Sequence, residues 1–209
     1  MARVIALVGS KGGSGKTTAA HLIAHGAGSL ARPIAAVVLT TDPEERPRGD
    51  RRRYLVRDAR TKDQLVANMD QLLAMDRLLV ILDGAAARPE LDRIVTDIAD
   101  LALLPYRAAA QDAERAAANL ARLPRAVALP MGWPRHPGTA RRARQWLDAI
   151  PEAQRLPPFP HMPRLAELLA EGDGYAGASY DLAAPARGLV LEVLARAGID
   201  PDELAEPKA

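Results

Sequence analysis

An α/β fold, with a mainly parallel sheet and helices on both faces, is predicted by three observations. Short apolar runs alternate with segments of helical periodicity along the chain. The first of these runs stops at a glycine-rich loop that opens into a helix. No internal repeat, low-complexity tract or linker interrupts the 209 residues, a length that can bury one core as a single domain.

Taken in order, residues 3–8 form an apolar run ending at Gly9, the pattern of a buried parallel strand. A helix follows from Thr17 to about Ser29, and residues 34–40 give a second buried strand, stopped by the turn signal Thr41-Asp42-Pro43. Residues 44–53 are polar and rich in arginine, and read as irregular. A short strand is predicted at 54–57 and a helix at 63–75, where Leu65, Val66, Met69, Leu72 and Leu73 recur at helical spacing. Residues 77–82 are the strongest strand, ending at Asp83-Gly84. Beyond it come a helix at 89–99, a strand at 101–104 closed by Pro105, and an Ala-rich helix at 108–123. A strand at 125–129 closed by Pro130, a helix at 139–150 and a short strand at 156–159 precede helices at 163–170 and 183–197. Residues 199–209 contain proline and are mostly acidic, and are expected to be a flexible tail.

Composition removes several chemistries. Cysteine is absent, so disulfides, thiol catalysis, iron–sulfur clusters and cysteine zinc sites are all excluded. No apolar run reaches the roughly 18–20 residues of a membrane helix, and no export signal is evident, so a cytoplasmic location is expected. The net charge is only +2, but its carriers are unusual: four of the 28 cations are lysines (Lys11, Lys16, Lys62 and Lys208) and the rest are arginines.

The chemistry concentrates between Gly9 and Thr18. Gly9-Ser10-Lys11-Gly12-Gly13-Ser14-Gly15-Lys16-Thr17 satisfies G-x-x-x-x-G-K-[ST] between a predicted strand and a predicted helix, the context of a phosphate-binding loop. Glycines let the backbone turn its N–H groups onto phosphate oxygens, and the helix start adds a positive dipole end. Lys16 is the candidate for the outer phosphates and Thr17 for Mg²⁺. Two of only four lysines fall in this loop, where a compact ammonium suits a phosphate cage better than a planar guanidinium, so Lys11 is a second candidate. Asp83 ends the strongest strand and Asp42 the second, on the side where parallel sheets gather ligands. Asp83 is the candidate metal carboxylate, and Asp42 is a candidate for the metal shell or the attacking water.

With both lysines in the loop, the chain resembles the ParA/MinD family of deviant Walker-A ATPases. The resemblance rests on Lys11 to Thr18, on Thr41-Asp42-Pro43 and on Ile81-Leu82-Asp83-Gly84, and it extends more weakly through residues 101–105 and 165–181. Its short length is similar to the small ParA, ParF-like plasmid-partition type. This resemblance implies a P-loop NTPase that binds ATP and Mg²⁺ through Lys11, Gly12, Gly13, Ser14, Gly15, Lys16, Thr17 and Thr18. It also implies an ATP-dependent homodimer in which Lys11 reaches the partner's phosphates. That dimer would bind duplex DNA without sequence preference, associating with the nucleoid. A ParB-like or other partner would stimulate slow hydrolysis. The family's Asp-x-Asp-Pro-Gln reads Thr40-Thr41-Asp42-Pro43-Glu44 here, which leaves hydrolysis resting on Asp42. Its Asn-Arg base-contacting segment reads Pro130-Met131-Gly132-Trp133-Pro134, with Trp133 a candidate for stacking on the base.

Two arginine groups are candidates for duplex phosphates: Arg46 to Lys62, with six further arginines between them, and Arg135, Arg141, Arg142 and Arg144. Aromatic residues make up 3% of the chain, which disfavours stacking on single strands. His21 and His25, one helical turn apart, read as core or surface histidines because no third metal ligand is evident. The acidic tail lacks a basic amphipathic face, so no membrane partner is expected. A P-loop enzyme that modifies a metabolite, and an ATP-locked scaffold with weak hydrolysis, are the competing functional readings.

Overall fold

The computed structural model describes residues 1–9, 11–41, 52–84, 89–123, 125–163, 165, 168–169 and 178–205. Asp42, Arg46, Arg48 and Arg51 lie outside them, as does half of the helix expected at 163–170. Six strands form one parallel sheet in the order β3-β2-β4-β1-β5-β6. They are β1 (Arg3–Leu7), β2 (Ala35–Thr40), β3 (Leu55–Asp58), β4 (Leu78–Asp83), β5 (Leu101–Arg107) and β6 (Ala126–Met131). The central strands β1 and β4 are almost entirely buried because helices cover both faces, which is why their sequences run continuously apolar.

One face is covered by α1 (Lys16–Gly28) and α6 (Ala178–Ala197). Leu22, Ile23, Leu182, Val190 and Leu194 close this core with Ile5, Leu7 and Ile81. The other face carries α2 (Lys62–Leu73), α3 (Pro89–Ile98), α4 (Ala110–Arg122) and α5 (Pro137–Asp148). There Met69, Leu72, Ala113, Ala116, Leu120 and Ala143 pack on Val4, Val8, Val80 and Leu82. Thr61 starts α2 with a capping box: its hydroxyl accepts from Gln64 N–H while the Gln64 side chain accepts from Thr61 N–H.

Four sequence expectations shift. Strands β5 and β6 run through Pro105 and Pro130 rather than stopping before them. Beyond Leu103 β5 pairs only with β6, and β6 is the last full strand, so a missing N–H is tolerated at both positions. Residues 156–159 add only isolated contacts along β6: Leu156 N–H donates to Ala128 O at 2.9 Å and Phe159 N–H to Pro130 O at 2.8 Å. Pro157 and Pro158 break the ladder between them. Helix α6 begins ahead of Pro185 and takes the proline inside. The expected flexible tail is docked as far as Ala205: α7 (Pro201–Leu204) is capped by Asp200, Leu204 and Ala205 are buried, and Ala205 bridges Ile34.

Candidate functional site

The carboxyl ends of β1, β4, β2 and β5 meet at one edge of the sheet, and the loop between β1 and α1 crosses it. Positive φ values at Gly9 (127°), Gly13 (71°) and Gly15 (104°) set the path of this loop. A Cβ on Gly12 or Gly13 would meet nothing within 4 Å, so the loop's rim faces open space. Gly15 then serves as the N-cap of α1 with no side-chain capping bond, which leaves the helix start to an outside acceptor.

Lys16 is buried, and its ammonium donates to Lys11 O at 3.0 Å, across the mouth of the loop. Thr17 and Thr18 are half-buried at the first turn of α1. Ser14 is buried, and its hydroxyl has no hydrogen-bond partner within the protein. A buried, unsatisfied hydroxyl beside a lysine and a helix N-terminus suits an anion.

Asp83 ends β4 with zero exposure. Its backbone carbonyl accepts from Thr41 Oγ1 at 2.7 Å and from Thr41 N–H at 3.2 Å. Thr40, in register with Asp83 on β2, is also buried, and its hydroxyl lacks a partner. The carboxylate at the end of β4 therefore stands at the strand end beside the loop, where the sequence predicted a metal ligand. Gly84 is required next to it: a Cβ there would lie 2.2 Å from Leu7 O. The donor set fits a nucleoside phosphate with a hard divalent cation: an ammonium, main-chain amides, a threonine hydroxyl and a carboxylate.

Lys11 forms an ion pair with Asp112 in the first turn of α4. Its side chain is 40% exposed while Asp112 is 8% exposed, so the lysine lies at the surface end of the pair. Asp112 was not singled out from the sequence. Its only sequence signal is an acid in the first turn of the helix that follows β5.

A cavity of about 480 Å³ opens past β6, lined by Gly132, Pro134, Arg135, His136, His161 and Pro163. The hydrogen bonds Trp133 N–H to Phe159 O (2.8 Å) and His161 N–H to Trp133 O (2.7 Å) hold its two walls together. The phosphate loop is close, since a Cβ on Gly15 would lie 3.6 Å from Met131 Cβ. Trp133 does not face this cavity as a stacking platform. It is buried and packs edge-on against Tyr106 at 6.3 Å.

The described members of the first arginine group are largely engaged. Arg52 donates to Leu168 O and Leu169 O, Arg57 to Gln71 Oε1 at 2.6 Å, and Arg60 pairs with Asp58. That pairing holds the Asp58 carboxyl down at about 2. Arg135, Arg141, Arg142 and Arg144 are exposed, and Arg115, Arg122 and Arg125 join them around α4 and β6. His21 and His25 are both core residues. The His21 ring bonds Tyr54 Oη at 2.8 Å, and burial, with a smaller push from Arg52, lowers it to about 4. Among the described residues no group of His, Asp and Glu is arranged to hold a metal by itself, and no helix is long and apolar enough to cross a membrane.

No protein-family model matches the sequence, and no curated protein matches it. Solved structures do. An ATP complex of a Cyanothece McdA variant is 15% identical with a TM-score of 0.63, covering 95% of this chain and 97% of that one. The MinD cell division protein of Aquifex aeolicus is 17% identical with a TM-score of 0.60, covering 90% and 96%. Cobyrinic acid a,c-diamide synthase of Mycobacterium smegmatis, bound to an ATP analogue and magnesium, is 17% identical with a TM-score of 0.53, covering 81% and 91%. The chain thus has the P-loop fold of the ParA/MinD type.

Proposed function

We propose that this protein is an ATP-dependent dimerising switch that positions or partitions a cargo. One observation carries the reading. One glycine loop at the mouth of a parallel sheet carries two lysines, Lys16 directed across the loop and Lys11 held by Asp112, with Asp83 buried at the end of the neighbouring strand. In this reading the loop amides from Gly12 to Thr18 and the Lys16 ammonium hold the phosphates. Thr17 and Asp83 hold Mg²⁺, which supplies charge neutralisation at the transferred phosphate. The base enters the cavity between Gly132 and His161. Asp42 orients the attacking water, and Thr40 beside it offers a hydroxyl where the family has a carboxylate, so turnover is slow.

Lys11 is the switch. In the single chain its charge is held by Asp112. When two copies close face to face, it leaves that partner for the phosphates of the other copy. The closed dimer binds duplex DNA through arginines, and a partner protein stimulates hydrolysis and release.

The test is one series on purified protein, with ADP, ATP or no nucleotide, reading dimer formation, ATP turnover and plasmid retention. Lys16→Ala is expected to lose nucleotide binding. Lys11→Ala is expected to keep ADP binding and lose the ATP dimer, and wild-type dimerisation by this variant contradicts the role given to Lys11. Asp42→Ala is expected to trap the ATP dimer.

The second reading, a metabolite-modifying enzyme, is favoured by the likeness in fold to the diamide synthase. Small-molecule turnover independent of DNA would decide for it.

A further inference from the structure

Helix α3 turns two polar side chains inward and two isoleucines outward. Asp92 and Thr96 face the protein at 5% exposure each, while Ile94 and Ile98 are 57% and 54% exposed. Burying a carboxylate and a hydroxyl in place of two isoleucines is costly unless their bonds compensate. The Thr96 hydroxyl is satisfied locally, donating to Asp92 O at 2.6 Å. The Asp92 carboxylate instead reaches out of its helix: Oδ2 accepts the N–H of Gly9 at 3.0 Å, 83 residues away. Gly9 is where β1 hands over to the phosphate loop, and its φ of 127° means the loop's path is decided there.

Asp92 also lies close to the end of β4. A Cβ on Gly84 would come within 3.8 Å of its Oδ1, and Gly84 follows the buried Asp83 directly. Burial pushes the Asp92 carboxyl up, while the Gly9 amide and the Lys16 ammonium pull it back. One side chain therefore joins the first residue of the loop, the charge of its lysine and the helix that follows the metal carboxylate.

We propose that Asp92 is a positioning residue that ties the phosphate loop to α3, so that filling the loop and ordering α3 are one event. The inference rests on the nucleotide reading above. Its physical basis is an acceptor oxygen held on the first amide of the loop in a place with little competing water.

The test combines calorimetry with amide exchange on the whole chain. Wild type is titrated with Mg-ADP, and exchange over residues 89–98 is followed with and without saturating nucleotide. Expected is ADP binding together with slower exchange in α3. Asp92→Asn keeps an acceptor for Gly9 and is expected to retain both. Asp92→Ala is expected to bind at least tenfold more weakly, and at saturation its α3 exchange no longer responds. Wild type that fails to bind ADP removes the nucleotide reading itself. Wild type that binds ADP with no change in α3 removes the inference alone, without reference to any variant's stability. So does Asp92→Ala with wild-type affinity and wild-type α3 protection.

Discussion

Lys11 and Lys16 show how one residue type is used in two ways within six positions. Lys16 is buried and directed across its own loop, which in the proposed reading assigns it to the phosphates of its own chain. Lys11 is part-exposed and reaches a carboxylate that is itself buried, so water screens the pair only in part and Lys11 must give it up in order to change partner. Asp112→Asn is therefore expected to release Lys11 and lower the ATP concentration needed for dimerisation several-fold, with ADP affinity unchanged. Sedimentation against ATP concentration checks this, and a weakened dimer would show that Asp112 supports the closed state instead. Asp83, Lys16 and Thr17 were legible in the sequence because motif register fixes them. Asp112 and Asp92 were not, because each meets the loop from a helix more than 80 residues away.

At the scale of the element, α1 and α6 approach each other closely. A Cβ on Gly26 would lie 2.2 Å from Ala186 O, so the two backbones touch there and only glycine fits. Gly26→Ala is expected to lower stability by about 1–3 kcal/mol or more through forced separation of the helices, read by urea unfolding. On the same helix, the depressed pKa of His21 has a defined consequence. The unfolded chain takes up this proton near the ordinary histidine value of 6.5, while the folded one does so only at about 4. Stability from this group is thus complete above pH 6.5 and is lost as pH falls towards 4. His21→Gln is expected to flatten that part of the stability curve in urea melts between pH 7 and 5. The element boundaries that sequence reasoning set at Pro105 and Pro130 moved because sheet position, unseen locally, decides whether a missing N–H matters.

At the scale of the molecule, one layer of helices carries two kinds of surface. Val66, Leu73, Ile94 and Ile98 are exposed on α2 and α3, while Arg115, Arg122, Arg141, Arg142 and Arg144 are exposed on α4 and α5. If the ATP-bound protein holds duplex DNA through the α5 arginines, binding must follow counterion release. Replacing Arg141, Arg142 and Arg144 together by Ala is expected to reduce the slope of log affinity against log salt by about 3. A filter-binding salt series checks it, and an unchanged slope assigns the contacts elsewhere.

The sequence by itself determined the parallel α/β alternation, the phosphate loop and the carboxylate at the end of β4, because each is written in neighbouring residues and follows from local geometry. Only the tertiary structure decided that Asp112 holds Lys11, that Asp92 holds Gly9, that Trp133 is core, and that the acidic end packs beside Ile34. Those contacts join residues far apart in the chain, and no local propensity encodes which distant side chain will fill a given space.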